Sequence, residues 1–229
     1  MGMTSALRLI AKTVALQVPP KILVFGLLNK LNYWRRTGNR RFEFERLYLE
    51  NPDPWDYHSS SYERRKYERS LACALNLRSA SESALEVGCS VGVFSKMLAS
   101  HFDKVTAIDV SKEALRAAAD HNRAEKNVRF VHGDLRQLSL GDQYSVIVCA
   151  EVLYYIREKD AQLVCRQLDQ HLAANGIILM VTGIKSGPPD FFYSGGWEEV
   201  LAAYFERTFK EIVQEPSRPY QILVFSRRN

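Results

Sequence analysis

The sequence predicts an α/β fold: a mostly parallel, doubly wound sheet of seven strands, with helices on both faces and an antiparallel hairpin at its C-terminal edge. Three observations predict it. From Ala84 to Val181, short runs rich in Val, Ile and Leu alternate with helical segments, the pattern of successive strand–helix units. A glycine-rich turn, Gly88-Cys89-Ser90-Val91-Gly92, separates the first run from the first of these helices. The last two β-rich runs follow one another through a proline-containing turn with no helix between them, which suits antiparallel pairing.

Taken in order, strands are expected at 84–87, 105–108, 128–131, 144–149 and 176–181, apolar runs too short for helices. Helices are expected over 93–101, 111–123 and 160–172, with Ser111 opening the second as its cap. Upstream, a turn-rich stretch from Asn51 to Tyr57 precedes a helix over 62–75, rich in Arg, Lys and Glu. The closing hairpin is expected from runs at 205–213 and 220–225. Three regions follow: a basic amphipathic arm over 1–47, a cap or lid helix region over 48–80, and a ligand-binding domain over 81–229.

At 229 residues, 46% hydrophobic and 25% charged, the chain can bury a substantial core. Its four cysteines, Cys73, Cys89, Cys149 and Cys165, form no C-x-x-C pair and no cluster with histidine at metal spacing. They are expected as reduced, packed thiols, which implies a reducing, cytoplasmic compartment and no metal. The net charge of +5 is uneven. Up to Phe42 the cations Arg8, Lys12, Lys21, Lys30, Arg35, Arg36, Arg40 and Arg41 meet no carboxylate, whereas the rest of the chain is slightly acidic. The body therefore shows no basic surplus, which argues against a nucleic-acid partner. Within the arm, Pro19-Pro20 breaks the apolar content into pieces shorter than the ~20 residues of a membrane span. Packing on the body, peripheral contact with the inner face of an anionic membrane through residues 1–42, and mobility stay open for it.

The chemistry-bearing residues sit where strands end. Glycines at Gly88 and Gly92 would let backbone approach a ligand without a Cβ in the way, and free N–H groups at the helix start would favour a polar or anionic group. Asp109 ends the second strand, where a carboxylate can accept from both hydroxyls of a ribose; its other reading is a cap for the helix at Ser111. Asp134, after the third strand, could accept from an adenine amino group. Glu151 to Tyr155 follow the fourth strand. Ser90 stands where a dinucleotide fingerprint would carry glycine, which counts against a nicotinamide cofactor.

Together these segments resemble class I methyltransferases, whose fold is Rossmann-like. The first motif is Ala84-Leu85-Glu86-Val87-Gly88-Cys89-Ser90-Val91-Gly92, and the later ones are Val105 to Asp109, His132-Gly133-Asp134-Leu135 and Glu151-Val152-Leu153-Tyr154-Tyr155, in family order and spacing. A narrower resemblance is to the NodS-like family, named for a nodulation methyltransferase. It rests on Asp53-Pro54-Trp55, on Ser61-Tyr62-Glu63-Arg64-Arg65-Lys66-Tyr67 and on Glu86 to Gly92, and covers roughly residues 48–226. The resemblance implies S-adenosyl-L-methionine as cofactor and S-adenosyl-L-homocysteine as product. Glu86, Gly88 and Gly92, with Cys89 and Ser90, would shape the methionine pocket. Asp109 and Val110 would meet the ribose, and Asp134 and Leu135 the adenine. Trp55, Tyr62 and Lys66 would form a lid. Glu151 would orient or deprotonate the acceptor, with His58 as a weaker alternative and His132 read as structural; Trp55, Tyr154 and Tyr155 would wall the acceptor. The expected acceptor is an amine or hydroxyl of a glycan or other small molecule, amino-sugar N-methylation being favoured. A lipid-linked acceptor and a non-catalytic cofactor-binding role are the competing readings. Monomer and homodimer are not distinguished.

Overall fold

The computed structural model describes residues 40–78, 82–184, 194–215 and 218–228. The basic arm up to Asn39 lies outside them. Two helices come first, α1 (Arg40–Glu50) and α2 (Ser61–Leu77). The strand–helix series is β1 (Ser83–Val87), α3 (Val93–Ala99), β2 (Lys104–Asp109), α4 (Lys112–His121), β3 (Val128–His132), β4 (Tyr144–Ala150), α5 (Ala161–His171) and β5 (Leu172–Gly183). It closes with α6 (Ser194–Tyr204), β6 (Glu206–Val213) and β7 (Tyr220–Ser226).

The seven strands form one sheet in the order β3-β2-β1-β4-β5-β7-β6. The first five are parallel; β7 runs antiparallel to both β5 and β6. The expected fold class and edge hairpin are thus present. The order in which the chain adds strands reverses between β1 and β4: it first works outward to β3 and then returns to the other side of β1, with all five strands still parallel. In open α/β sheets that switch point is where ligands bind, at the carboxyl ends of the strands.

Side-chain alternation divides the core in two. Leu85, Val87, Ile147 and Cys149 face one cluster, into which α5 and α6 insert Val164, Leu168, Trp197 and Leu201. Ala84, Val146 and Val148 face the other, covered by Leu71 of α2 and by Phe94 and Leu98 of α3. Tyr67 stacks on Phe94 with centroids 4.6 Å apart, fixing α2 against α3. Two helices were not anticipated, α1 and α6. The first runs across the expected boundary at residue 47, so arm and cap are joined by continuous helix there.

Candidate active site

The glycine-rich turn after β1 is built by three left-handed residues, Gly88 (φ 75°), Ser90 (φ 51°) and Gly92 (φ 75°). The expected reason for the glycines needs correction. A Cβ on Gly88 would lie 2.7 Å from Val152 Cγ2, and one on Gly92 would lie 2.5 Å from Asn122 Nδ2 and 2.9 Å from Ala118 Cβ. Close packing within the protein, together with the positive φ, requires glycine at both positions.

Within the turn that precedes the helix, four N–H groups are engaged by the protein itself. Gly88 and Cys89 donate to Ile108 O, Gly92 donates to Cys89 O, and Ser90 donates to Asp109 Oδ2 at 3.0 Å. Asp109 Oδ1 accepts from Ser111 N at 2.9 Å within its own loop, so one oxygen holds the start of α4 and the other the turn after β1. Each oxygen retains a lone pair. Ser111 itself caps α4, accepting from Ala114 N. Asp109 is therefore not the cap; it spans the two loops. Burial raises its pKa, and the three backbone N–H groups it faces oppose that rise. Cys89 turns its thiol into a cluster with Ala107 and Leu115, leaving only its backbone toward the crevice.

Next to this turn, Glu86 is buried in β1, accepts from Ser95 Oγ and has its pKa pushed up to about 8 by desolvation. Glu151, the first residue after β4, has φ 53°, a strained setting for a residue with a side chain and one concentrated at functional sites. Its N–H donates to Val181 O, its Oε2 accepts from Gly183 N at 3.3 Å, and its Oε1 accepts from Lys66 Nζ at 3.0 Å. Lys66 also meets Glu63 at 2.7 Å. Burial alone would lower the Lys66 pKa, but the Glu151 and Glu63 carboxylates outweigh it and raise it. Lys66 is thus a buried partner of Glu151. Tyr62 lies beside it, the ammonium 5.1 Å from the ring centroid, and its hydroxyl donates to Arg218 O.

Tyr154 shares side-chain hydrogen bonds with Glu151 and Tyr155. Its ring lies 4.5 Å from that of Tyr155, which meets Phe44 edge-on at 5.0 Å. At the end of β3, Asp134 is engaged by the Arg136 guanidinium; burial alone would raise its pKa, and Arg136 holds it below the usual range. Leu135 is buried in the core beneath. His132 Nε2 lies 3.1 Å from Val110 O and 2.8 Å from Arg41 Nη2. His58 is held by Asp53 and by His121, not by the loop after β4.

Helix α1 supplies residues that sequence reasoning missed. Glu45 Oε2 accepts from Ser111 Oγ and Lys112 N, adding a second, distant cap to α4. Tyr48 donates to Ser90 Oγ at 2.6 Å and is hydrogen-bonded with Trp55. Trp55 therefore reaches the glycine turn through a phenol.

Among the described residues, Asp109 lies on one side of the switch point and Glu151, Glu63 and the Lys66 ammonium on the other, while Glu86, its pKa raised to about 8, carries its proton near pH 7. In the glycine turn the N–H groups of Gly88, Cys89, Ser90 and Gly92 are bonded internally. A ligand with vicinal hydroxyls fits the lone pairs left on Asp109, and a positive charge fits the carboxylate excess around Lys66.

A model of the family described as Nodulation protein S (NodS) matches residues 39–209. Nodulation protein S of Bradyrhizobium diazoefficiens is 30% identical over 155 residues, 67% of this chain and 74% of that protein. A malonyl-[acyl-carrier protein] O-methyltransferase of Bacillus anthracis is 33% identical over 124 residues, 52% of this chain and 45% of that one. Among solved structures, N-methyltransferase NodS of Bradyrhizobium japonicum, in complex with S-adenosyl-L-homocysteine, superposes with TM-score 0.70 at 22% identity. The match covers 82% of this chain and 98% of that one.

Proposed function

The chain belongs to the Nodulation protein S family and is an S-adenosylmethionine-dependent methyltransferase, and from that premise we propose that it methylates an amine of a small molecule, an amino sugar before other acceptors. One observation carries the cofactor assignment: the Asp109 carboxylate at the switch point, held beside the glycine turn by Ser90 N and by Ser111 N, keeps lone pairs that can accept from ribose hydroxyls.

When bound, S-adenosylmethionine supplies a methyl group already activated on a sulfonium, so the protein's task is alignment and exclusion of water. Asp109 would accept from the ribose hydroxyls with the lone pairs that Ser90 N and Ser111 N leave. Glu86 and the backbone of Gly88 to Gly92 line the methionine end. Asp134 and Leu135 border the adenine. On the acceptor side, Glu151 would accept a hydrogen bond from the amine and take up its proton, with the bound cofactor supplying the methyl group. Tyr154 and Tyr155 wall that side, and Trp55 fixes Tyr48 over the turn. Support for nitrogen over oxygen comes from the carboxylates around Glu151, which favour charge developing on an acceptor nitrogen.

Calorimetric titration with S-adenosylhomocysteine tests the cofactor site. Asp109→Ala should weaken binding about 10- to 150-fold, for hydrogen bonds to a charged group contributing about 1.5–3 kcal/mol. Absence of binding to the unsubstituted protein would overturn the site. Methyl transfer to glucosamine or a chitooligosaccharide amine, against the same sugars N-acetylated, then tests the acceptor class.

A further inference from the structure

Glu63 opens α2 in a pattern that usually has another outcome. Ser60 is the N-cap and accepts from Glu63 N at 3.2 Å. A glutamate at this third position commonly reaches back to the N–H of the capping serine. Here Ser60 N donates to Asp56 O instead, at 2.9 Å. Asp56 sits in the turn before the helix at φ 57°. With that N–H satisfied, the Glu63 carboxylate turns inward. Its side chain is 9% exposed, and it meets Lys66 Nζ at 2.7 Å, one helical turn on. Lys66, 3% exposed, then reaches across to Glu151, 17% exposed.

A lone lysine beside Glu151 would neutralise it. The cluster holds two carboxylates for one ammonium, and so carries one net negative charge when all three are ionised. The ammonium divides its attraction between them. Tyr154 and Gly183 N, the other groups on Glu151, are neutral donors and do not change that sum. Glu151 is the more exposed of the two carboxylates, so the excess charge faces the crevice.

We infer that Glu63 is a positioning residue for methyl transfer: through Lys66 it holds Glu151 in place while keeping the acceptor side of the crevice anionic. The inference rests on the assignment of Glu151 to the acceptor side. Glu63 acts through Lys66 and touches no reacting atom. Its removal would leave Lys66 paired with Glu151 alone and the site electroneutral.

The test needs no acceptor. Sinefungin carries an ammonium where S-adenosylmethionine carries its methylsulfonium, and S-adenosylhomocysteine carries a neutral thioether there. The ratio of their dissociation constants, measured by calorimetry on the full chain, reads the field at the transferred methyl. In the unsubstituted protein sinefungin should bind more tightly. Glu63→Gln should reduce its advantage about 5- to 10-fold, the effect of removing one charge several ångströms away in a partly screened site. Glu63→Asp, which retains the charge, should preserve most of it. Glu68→Gln, the same charge change at an exposed position of α2, should leave it unaltered. A purely structural role would weaken both ligands together and leave the ratio constant. An unchanged ratio in Glu63→Gln overturns the inference, as does an equal fall in Glu68→Gln. Loss of S-adenosylhomocysteine binding by the unsubstituted protein would instead overturn the cofactor site itself.

Discussion

Glu86 should make the fold less stable as pH rises, and Glu86→Gln should relieve that cost. The carboxyl lies in the middle strand of the parallel sheet, 4% exposed, and its pKa rises from 4.5 to about 8. Desolvation is the first cause. Ser95 Oγ opposes it and the nearby Asp109 adds to it. The sign follows from linkage. An acid whose folded pKa is raised contributes its full stability below the unfolded value of 4.5 and loses it as pH rises toward 8. Each unit is worth about 1.4 kcal/mol. The cost of ionising, or of carrying the proton, is then roughly 1 kcal/mol near pH 5 and roughly 4 kcal/mol near pH 8. Glutamine keeps an acceptor for Ser95 and has nothing to ionise. Near pH 8, Glu86→Gln should melt on the order of 8–16 °C higher than the unsubstituted protein, and near pH 5 about 2–4 °C higher. Calorimetric melts at pH 5, 6, 7 and 8 measure the difference. An offset that does not grow with pH, or a Glu86→Gln protein that is less stable at pH 8, would refute the burial argument.

Two further outcomes are expected. Glu45→Gln should destabilise by about 1 kcal/mol at pH 7, a capping loss discounted for the solvent around Glu45. Burial alone would raise the pKa of Glu45, but Ser111 Oγ and the Glu113 and Lys112 N–H groups bring it below its ordinary value. The difference should therefore be present above pH 5 and fade as pH falls through 4, read as melting temperature against pH. Gly92→Ala should cost roughly 2–4 kcal/mol in urea unfolding, since its Cβ would meet Asn122 and Ala118 at a positive φ. A loss below ~1 kcal/mol there would mean that the α4 contact yields easily.

Much of the sheet was legible because buried parallel strands read as unbroken apolar runs: Val146, Ile147 and Val148 carry no polar interruption. The cap at Ser111 was legible because capping is local. Helix α1 was hidden: Phe42-Glu43-Phe44-Glu45 alternates with the period of a strand. Helix α6 was hidden by Gly195-Gly196 in its first turn. At the site, Asp109 and Glu151 stood out because they end or follow a strand, and Glu86 through the resemblance of the first motif. Their geometry did not, since the left-handed backbone at Ser90 and Glu151 is imposed by contacts from β2 and β5. Glu45 and Tyr48 gave no sign, for their partners lie 66 and 42 residues away. Glu63 looked like half of a capping box, and only the bond from Ser60 N to Asp56 O shows why it is free for another task.

The hairpin that ends the chain also governs what can be added to the sheet. Strand β6 is its outermost member, and its pairing with β7 slips between Arg207 and Phe209, bulging the strand at Thr208. Along β6, Arg207 and Lys210 share Glu198, and Glu211 is claimed by Arg69 of α2. A strand edge invites a neighbour only while it is straight and carries few charges. A second copy, or an unfolded segment of any chain, would meet a kink and a row of anchored charges where it needs a flat line of amides. The sheet is closed to further growth on this side without a barrel's continuity, which leaves the hairpin able to tolerate the exposed Ile212 without becoming a site of aggregation.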